Sequence, residues 1–557
     1  MKRTSAKTAP VATGWKPWQG WLVATAALIA VFESYGPALG GPFLLDDLYL
    51  PFADPTVAEY SMERWMARRH VLMLSYFANF KLSGTEPYWY HVANVMLHWL
   101  TATMVFLILR AALRPRSDIL AGFGALLFLL HPIQTEAVAY VAGRSDVLST
   151  LFAYAALAVF LARRDRGVGG KEAAAIFVLY VLGVLTKEPV VVLPVVFVTL
   201  DLLWGGVKKN WRLHVPMALG GVLATAAVLR QVLYSGTTGF STGIPWRQYL
   251  FTQCRAIWLY LRLVVLPAGQ NADRDFPLSR SVTDHGAWIG MAALVALALG
   301  AVWVRRRVPL ASAGVLVFLI LLAPTSSIFP INDLIAERRM YFPFVGLLLV
   351  LMEGARRIRL SHVGAAGAMA VALLGCAVLT YARAGVWSSE TALWTDTVEK
   401  SPDKWRPRFQ LAYAYYRNQR CPEASREFAR AAQMDGRDPR LLIDWALALD
   451  CEGKPEEALA QLRRAAAHEN SAHVHALIGM VLGKQRRAGE ALAELALAEK
   501  LDSGFVMTYA YRGNVYASRG EWQLAVAEYR KVLAKEPANQ MALRGLELAQ
   551  AQLRAPR

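Results

Sequence analysis

Apolar residues gather in long runs over the first two thirds of the chain, and the polar residues between them fall into short clusters. Runs such as GWLVATAALIAVFESYGPAL, AAIFVLYVLGVL, VLVFLILLAP and VGAAGAMAVALLGCAVLTYA approach or reach the roughly 20 apolar residues that cross a bilayer as a helix. From about residue 386 the chain becomes polar, Ala-rich and helical in pattern. The pattern predicts an all-α protein with a polytopic membrane domain over 1–385 and an aqueous domain over 386–557. About eleven transmembrane helices are expected: at about 20–38, 92–110 and 117–131, three more ending near ARRDRG, TKEP and VKKNW, one at about 213–234 that exits to YSGTTGFSTGIPWRQ, then about 286–304, 309–324, 341–355 and 362–382. The segment 249–267 is not counted, because a crossing there would put RRR at 305–307 and ARRIR at 355–359 on the wrong side. Arg255 and Arg262, seven residues apart, share one helix face, which suits a helix lying at the membrane interface.

Charge settles the expected sidedness. The 557 residues carry a formal net charge of +18 at a mean hydropathy of +0.30. Lys and Arg concentrate in RPRSD, LARRDRGVGGK, WGGVKKNWR, VRRRVP and EGARRIRLSH, short loops that become cytoplasmic under the positive-inside rule. The basic excess therefore has a membrane explanation, and no nucleic-acid partner is expected. MKRTSAKTAP places positive charge before the first span without a small-residue cleavage site, so that span is read as a retained start helix with its amino terminus in the cytoplasm. An odd number of crossings puts residues 386–557 on the periplasmic, extracytoplasmic side. No Asn-x-Ser/Thr occurs, and the Ala- and Arg-rich composition leans towards a bacterial inner membrane. Four cysteines give no disulfide framework, and Cys421 and Cys451, which could meet, are read as two unpaired helix residues.

With that sidedness the acidic clusters share the outer face: Asp46 and Asp47, the stretch HPIQTEAVAYVAGRSD at 131–146, Lys187 and Glu188, and INDLIAERRMYFP at 331–343. Ionisable groups at membrane depth are costly and mark pathways or sites, so their convergence points to an active site. Pro132 suits the first turn of a new helix, on which Glu136 and Tyr140, four apart, share a face. His131 is read as a capping or packing residue. His91 and His98, seven apart on one span, are assigned buried hydrogen bonding ahead of metal ligation.

The polar third repeats. Ala424, Ala458, Ala491 and Ala525 recur at spacings of 34, 33 and 34, with Phe428, Leu462, Leu495 and Tyr529 four residues on. Twelve residues before each Ala stand Ala412, Ala446, Gly479 and Gly513, with Tyr415, Leu449, Leu482 and Tyr516 three further on. This resembles the tetratricopeptide repeat (TPR), an α-solenoid of helix pairs whose small residues allow close crossing. Four repeats are expected over about 405–537, closed by a capping helix, with 386–404 as a partial leading repeat. Such arrays form a groove that takes a peptide or protein, although a spacer or dimerisation arm is also compatible. Trp387, Trp394 and Trp405 suit either the headgroup level or packing of the leading repeat.

HPIQTEAVAYVAGRSDVLSTLF, with DDLYLPF upstream, YHVANVMLHWL between and IAERRMYFPFVG downstream, resembles the transmembrane and tetratricopeptide-repeat-containing O-mannosyltransferases and their bacterial relatives, over most of the chain and in the same order. Where that family commonly has an Arg-Pro-Leu run before the second span, this chain has RRHVLMLSYFANF, with Arg69, His70 and Leu72 in its place and no Pro. The resemblance implies a GT-C-type glycosyltransferase domain. Such an enzyme would move mannose or a similar hexose from a polyprenyl-phosphate carrier in the membrane lipid to a hydroxyl of an extracytoplasmic acceptor protein or peptide held by the repeats. It places the base in the Asp46–Asp47 pair, an ionised carboxylate serving an inverting displacement. Arg338 and Arg339 are the first choices for the leaving phosphate, helped by Arg144 and Lys187, since a guanidinium fork meets two phosphate oxygens. Glu136 is assigned to sugar hydroxyls or to support of the Asp pair, Arg144 and Asp146 to bracing the loop or meeting phosphate, Glu337 to holding an Arg or to a structural salt bridge, and Glu188 and Arg255 to the substrate-binding set. No cofactor is required beyond the lipid-phosphate sugar as donor substrate, and a divalent cation at the Asp pair stays open. A glycan- or lipid-modifying enzyme whose repeats recruit an assembly partner, and a non-catalytic scaffold, remain alternatives.

Overall fold

The computed structural model describes residues 14–54, 56–66, 69–233 and 243–554, the side chains of 231–233 excepted. The basic amino-terminal stretch and most of the loop YSGTTGFSTGIPWRQ, both used above for sidedness, lie outside the described residues. Among the described residues the structure is helical, with no strand, and the chain divides into two compact units, Met1–Leu393 and Trp394–Arg557.

In the first unit a helix stands at each place where a span is expected, but the helices differ in reach. Six are long and apolar enough to cross a membrane: Pro17–Leu39, Pro87–Ala112, Val141–Arg163, Trp211–Arg230, Asp284–Val304 and His362–Val386. A seventh crossing results if Asp118–Leu130 and Pro132–Ala139, bent by 48° at their junction, form one span. The others are short. Gly170–Thr186 has 17 residues, Leu193–Trp204 and Phe344–Ala355 have 12 each, and Pro309–Leu322 has 14. A 12-residue helix rises about 18 Å against a hydrocarbon core of about 30 Å, so these helices do not by themselves establish a count of eleven. Trp246–Val265 is long enough to cross, yet it is not among the six, because Arg247, Arg255 and Arg262 dilute its apolar face.

The Val141–Arg163 helix is the axis of this unit. Its apolar window is 72% buried, whereas that of His362–Val386 is 6% buried and presents its side chains outward. Around the axis, the Tyr154 hydroxyl donates to the Phe342 carbonyl at 2.7 Å, and Thr380 Oγ1 donates to the Leu130 carbonyl at 2.7 Å. His98 lies wholly buried, with Nε2 3.0 Å from the Leu129 carbonyl and Nδ1 2.8 Å from the Tyr341 hydroxyl. The carbonyl partner requires a proton on Nε2, while the Tyr341 hydroxyl serves Nδ1. The helices Pro309–Leu322 and Phe344–Ala355 cross at Gly314 and Gly346, where a Cβ on either would stand 2.5 Å from the other's carbonyl oxygen.

The second unit is a stack of helix pairs: Trp405–Arg417 with Cys421–Met434, Pro439–Cys451 with Pro455–His468, Ala472–Lys484 with Ala488–Leu501, and Val506–Ser518 with Trp522–Lys535, followed by Gln540–Arg554. The repeated small residues Ala424, Ala458, Ala491 and Ala525 are fully buried, as are Phe428, Leu462 and Leu495. A Cβ on Gly513 would meet the Tyr529 ring at 2.7 Å, so the aromatic ring occupies the space that the missing side chain leaves. This is the α-solenoid read from the repeat.

One reading of this unit is corrected. Cys421 and Cys451 form a disulfide, with Cα atoms 5.8 Å apart. Cys421 is the first residue of one helix and Cys451 the last of the next, so the solenoid turn sets them side by side. Closing a loop of this length is worth about 3 kcal/mol. Reduction of the full-length chain is expected to lower the urea midpoint of the second unit, and a Cys421→Ser variant should be insensitive to reductant.

Candidate active site

The site grows from a short stretch of backbone. After the Asp118–Leu130 helix the chain runs through three abrupt turns of helix, Pro132–Gln134, Thr135–Ala139 and Val141–Gly143, before the axial helix starts. His131 caps the first of them, its Nδ1 accepting the Ile133 N–H at 3.2 Å while Nε2 meets the Val264 carbonyl at 2.9 Å. A Cβ on Gly143 would run into the Ala137 carbonyl, so the return of the chain requires glycine there. Gly143→Ala should cost about 1–3 kcal/mol, the range for overpacking a tight site, seen as a lower melting temperature.

Two consequences follow for the acidic pair at Asp46 and Asp47. Asp47 is 1% exposed, and its carboxylate accepts N–H groups from Leu44 at 3.0 Å and from Ala142 at 2.6 Å. Burial pushes its carboxyl up to about 7, against the pull of those two donors. Asp46 is exposed, its backbone N–H donates to the Tyr140 hydroxyl at 2.7 Å, and its carboxylate has no hydrogen-bonding or ionic partner among the described residues. The two neighbours thus differ in kind: Asp47 clasps the loop to Ala142, and Asp46 is free to meet a ligand. Tyr140 lies beyond the end of the helix that carries Glu136, so the shared face expected for the two is replaced by a turn.

Beside them stand three ion pairs contributed by distant parts of the chain. Arg338 Nη1 lies 2.5 Å from Glu136 Oε1, and the Arg338 backbone N–H donates to Glu136 Oε2 at 3.1 Å. Lys187 Nζ lies 2.6 Å from Asp146 Oδ1. Arg69 grips both oxygens of Glu188, at 3.0 and 2.9 Å. These pairs sense one another. Burial would lower the Arg338 pKa, but Glu136, Asp146 and Asp333 together raise it, and burial lowers that of Lys187 despite Asp146. Arg69 in turn interacts with Asp146, and Tyr140 with Asp46, Asp47 and Arg338. The strap 132–146 ties these groups together: Tyr140 meets the Asp46 backbone, Glu136 pairs with Arg338 and Asp146 pairs with Lys187. Within it the fully buried Gln134 carboxamide and Asp146 Oδ2 have no hydrogen-bond partner among the described residues.

Other residues expected in the substrate-binding set have different surroundings. Arg144 is 1% exposed and spends its donors on Asn94 Oδ1, Asn79 Oδ1 and the carbonyls of Tyr90 and Ser75, with Tyr76 under its plane at 4.6 Å. It braces the loop and has no fork left for phosphate. Arg339 donates to Tyr249, Leu334 and Asp333, fastening the 333–334 backbone, and Arg255 donates to the Pro277 carbonyl and Ser279 Oγ. Glu337 is wholly buried and accepts from Gln270 Nε2 and the Asn271 N–H, so among its hydrogen bonds the partner is a loop and not the neighbouring Arg. Trp387 is 1% exposed and stacks on Tyr140 at 5.8 Å, so it packs within the first unit. Arg69 and Gln134 join these groups without being expected from the sequence motifs. Arg69 carried a signal in the altered RRHVL run, whereas nothing in the local pattern marked Gln134.

A unit of long apolar helices carrying a cluster of ion pairs, joined in the same chain to a TPR solenoid, defines the class of protein. Within that class the chain resembles the protein O-mannosyl-transferases. It is 24% identical over 432 residues to Protein O-mannosyl-transferase F38B6.6 of Caenorhabditis elegans, covering 72% of this chain and 61% of the relative. It is 25% identical over 415 residues to Protein O-mannosyl-transferase TMTC3 of Mus musculus, covering 66% and 44%, and 31% identical over 178 residues to mouse TMTC1, covering 28% and 19%. The chain thus spans less than two thirds of these relatives' lengths, from 19% to 61%. No family model matches it. Among solved structures, YrrB, a TPR protein with an unusual peptide-binding site, aligns with 28% of this chain and 81% of its own at 21% identity and a TM-score of 0.25.

Proposed function

We propose that the protein is a membrane glycosyltransferase of the GT-C type that transfers mannose or a similar hexose from a polyprenyl-phosphate carrier to a hydroxyl of an extracytoplasmic protein, with inversion at the anomeric carbon. The observation that carries this reading is the exposed, unpartnered carboxylate of Asp46 beside the ion-paired cluster of Arg338, Lys187 and Arg69. The names of the relatives supply the reaction class.

In this reading Asp46 accepts the proton of the acceptor hydroxyl as its oxygen attacks the anomeric carbon, and the bond to the lipid phosphate breaks on the opposite side. Arg338 faces the developing phosphate charge, with Lys187 and Arg69 adding to the field. Glu136 orients the Arg338 fork, and Asp47 holds Asp46 in register. Asp46 could share a divalent cation with the substrate, which chelation during the assay would reveal. The disulfide of the second unit is in keeping with an oxidising, extracytoplasmic compartment for the repeats, where they would present the acceptor.

The test is transfer in membranes that contain the full chain, polyprenyl-phosphate mannose and a periplasmic protein fraction. The proposal expects a hexose mass increment on protein, dependent on the chain. Deleting residues 400–557 should abolish transfer to protein; unchanged transfer to a short soluble glycan would favour a glycan acceptor instead.

A further inference from the structure

The end of the first unit remote from the candidate active site carries an unbalanced set of charges. The helices Asp118–Leu130 and Arg144–Arg163 each have one end at the strap 132–146, and Phe344–Ala355 follows directly on Arg338. At their other ends six arginines share three carboxylates. Asp118 lies 2.8 Å from Arg110 and 3.1 Å from Arg116; Asp165 lies 2.8 Å from Arg114 and 3.3 Å from Arg164; Glu353 lies 2.8 Å from Arg356 and 2.6 Å from Arg357. Each carboxylate neutralises one of its two guanidinium partners, so half of the positive charge has no protein counterion within these pairs.

Two cavities open among these arginines. One, of about 340 Å³, is lined by Arg114, Arg164, Arg356, Leu161 and Trp204 together with Asp165, whose carboxylate is engaged by Arg114 and Arg164, and Arg164 stacks over the Trp204 ring at 4.6 Å. The other, of about 460 Å³, is lined by Arg116, Arg356, Arg357, Leu113 and Leu120. Arg356 borders both, and its Nη1 is pinned to the Arg114 carbonyl at 2.7 Å. Each cavity thus combines guanidinium groups with apolar side chains near the end of Pro87–Ala112, a helix of membrane length, and the first also borders the end of Val141–Arg163. A guanidinium fork is matched to phosphate oxygens, and basic pockets between membrane helices suit phosphate-bearing lipid headgroups.

We infer that these two cavities bind the phosphate headgroup of an anionic membrane lipid, with the acyl chains running along the apolar side chains. The mixed lining suits a lipid, whose phosphate meets the arginines while its apolar part lies against the half-buried Trp204 and Leu120. The site is separate from the sugar-transfer site and does not depend on that reading.

The test uses the purified full chain in detergent, with phosphatidylglycerol or phosphatidylcholine added and lipid retention read by native mass spectrometry alongside the melting temperature. Phosphatidylglycerol should be retained and should raise the melting temperature, while phosphatidylcholine does neither. Arg164→Gln should weaken phosphatidylglycerol retention by about fivefold and the double variant Arg164→Gln/Arg356→Gln by about 30-fold. Arg305→Gln, at an exposed cation outside both cavities, should leave it unchanged. Undiminished retention in Arg164→Gln, equal retention of phosphatidylcholine, or an equal loss in Arg305→Gln would each overturn the inference. Protection by glycerol 3-phosphate equal to that by the lipid would overturn the lipid assignment.

Discussion

Asp46→Asn is expected to lower sugar transfer by about 10²–10⁴-fold while the protein keeps its melting temperature, because a positioned base contributes about that much to the transition state. The reasoning is geometric. Asp46 is exposed and its carboxylate holds nothing in place, so its amide replacement removes a proton acceptor and little else. Asp47→Asn should behave differently. Its carboxylate accepts the N–H groups of Leu44 and Ala142, and an amide can accept at only one of its two positions. That variant should lose melting temperature and activity together, the activity through displacement of the loop. Transfer at the parental rate by Asp46→Asn would remove this residue from the chemistry, whatever the effect of its neighbour.

The second large effect is expected at Arg338. The Glu136 side chain is 3% exposed, and its partner Arg338 is 26% exposed. Removing one member of a buried pair strands the other charge at a cost of about 3–5 kcal/mol, so Arg338→Ala should be both unstable and inactive. The double variant Glu136→Gln/Arg338→Met separates the two effects, since it removes both charges of the buried pair and Arg338's other ionic partner, Asp333 at 3.7 Å, is 38% exposed. It should recover most of the stability, measured by thermal unfolding in detergent, and none of the transfer. Recovery of both would make the pair a structural tie, and the leaving phosphate would need another cation.

The limits of sequence reading fall at particular residues. The long helices were legible because 18 or more apolar residues in a row have few other uses, and the repeats because four copies agree in period and in the position of their small residues. The short helices were not distinguishable from full crossings, since a 12-residue apolar run carries the same composition as part of a 20-residue one. The polar loops were legible as a set, yet the division of labour within them was hidden. Glu136 finds Arg338 at a separation of 202 residues and Arg69 finds Glu188 at 119. Arg144 and Arg338 looked alike in sequence, both in loops beside an acidic residue. What separates them is that Asn79, Asn94 and two carbonyls saturate Arg144, and those partners lie on helices 50 residues or more away. The cysteine pair could have been anticipated: the end of one helix and the start of the preceding one are neighbours in any solenoid of this period.

The strap from Pro132 to Asp146 touches both sides of the proposed reaction. Glu136 near its start holds Arg338, and Ala142 six residues on holds Asp47. The spacing between nucleophile and departing group is thereby gauged by half a dozen residues of one chain segment. Loops elsewhere on this face can lengthen without altering that gauge, but a single residue inserted between positions 136 and 142 would shear one reactant past the other, so descendants of this chain should vary the side chains of the strap long before they vary its length.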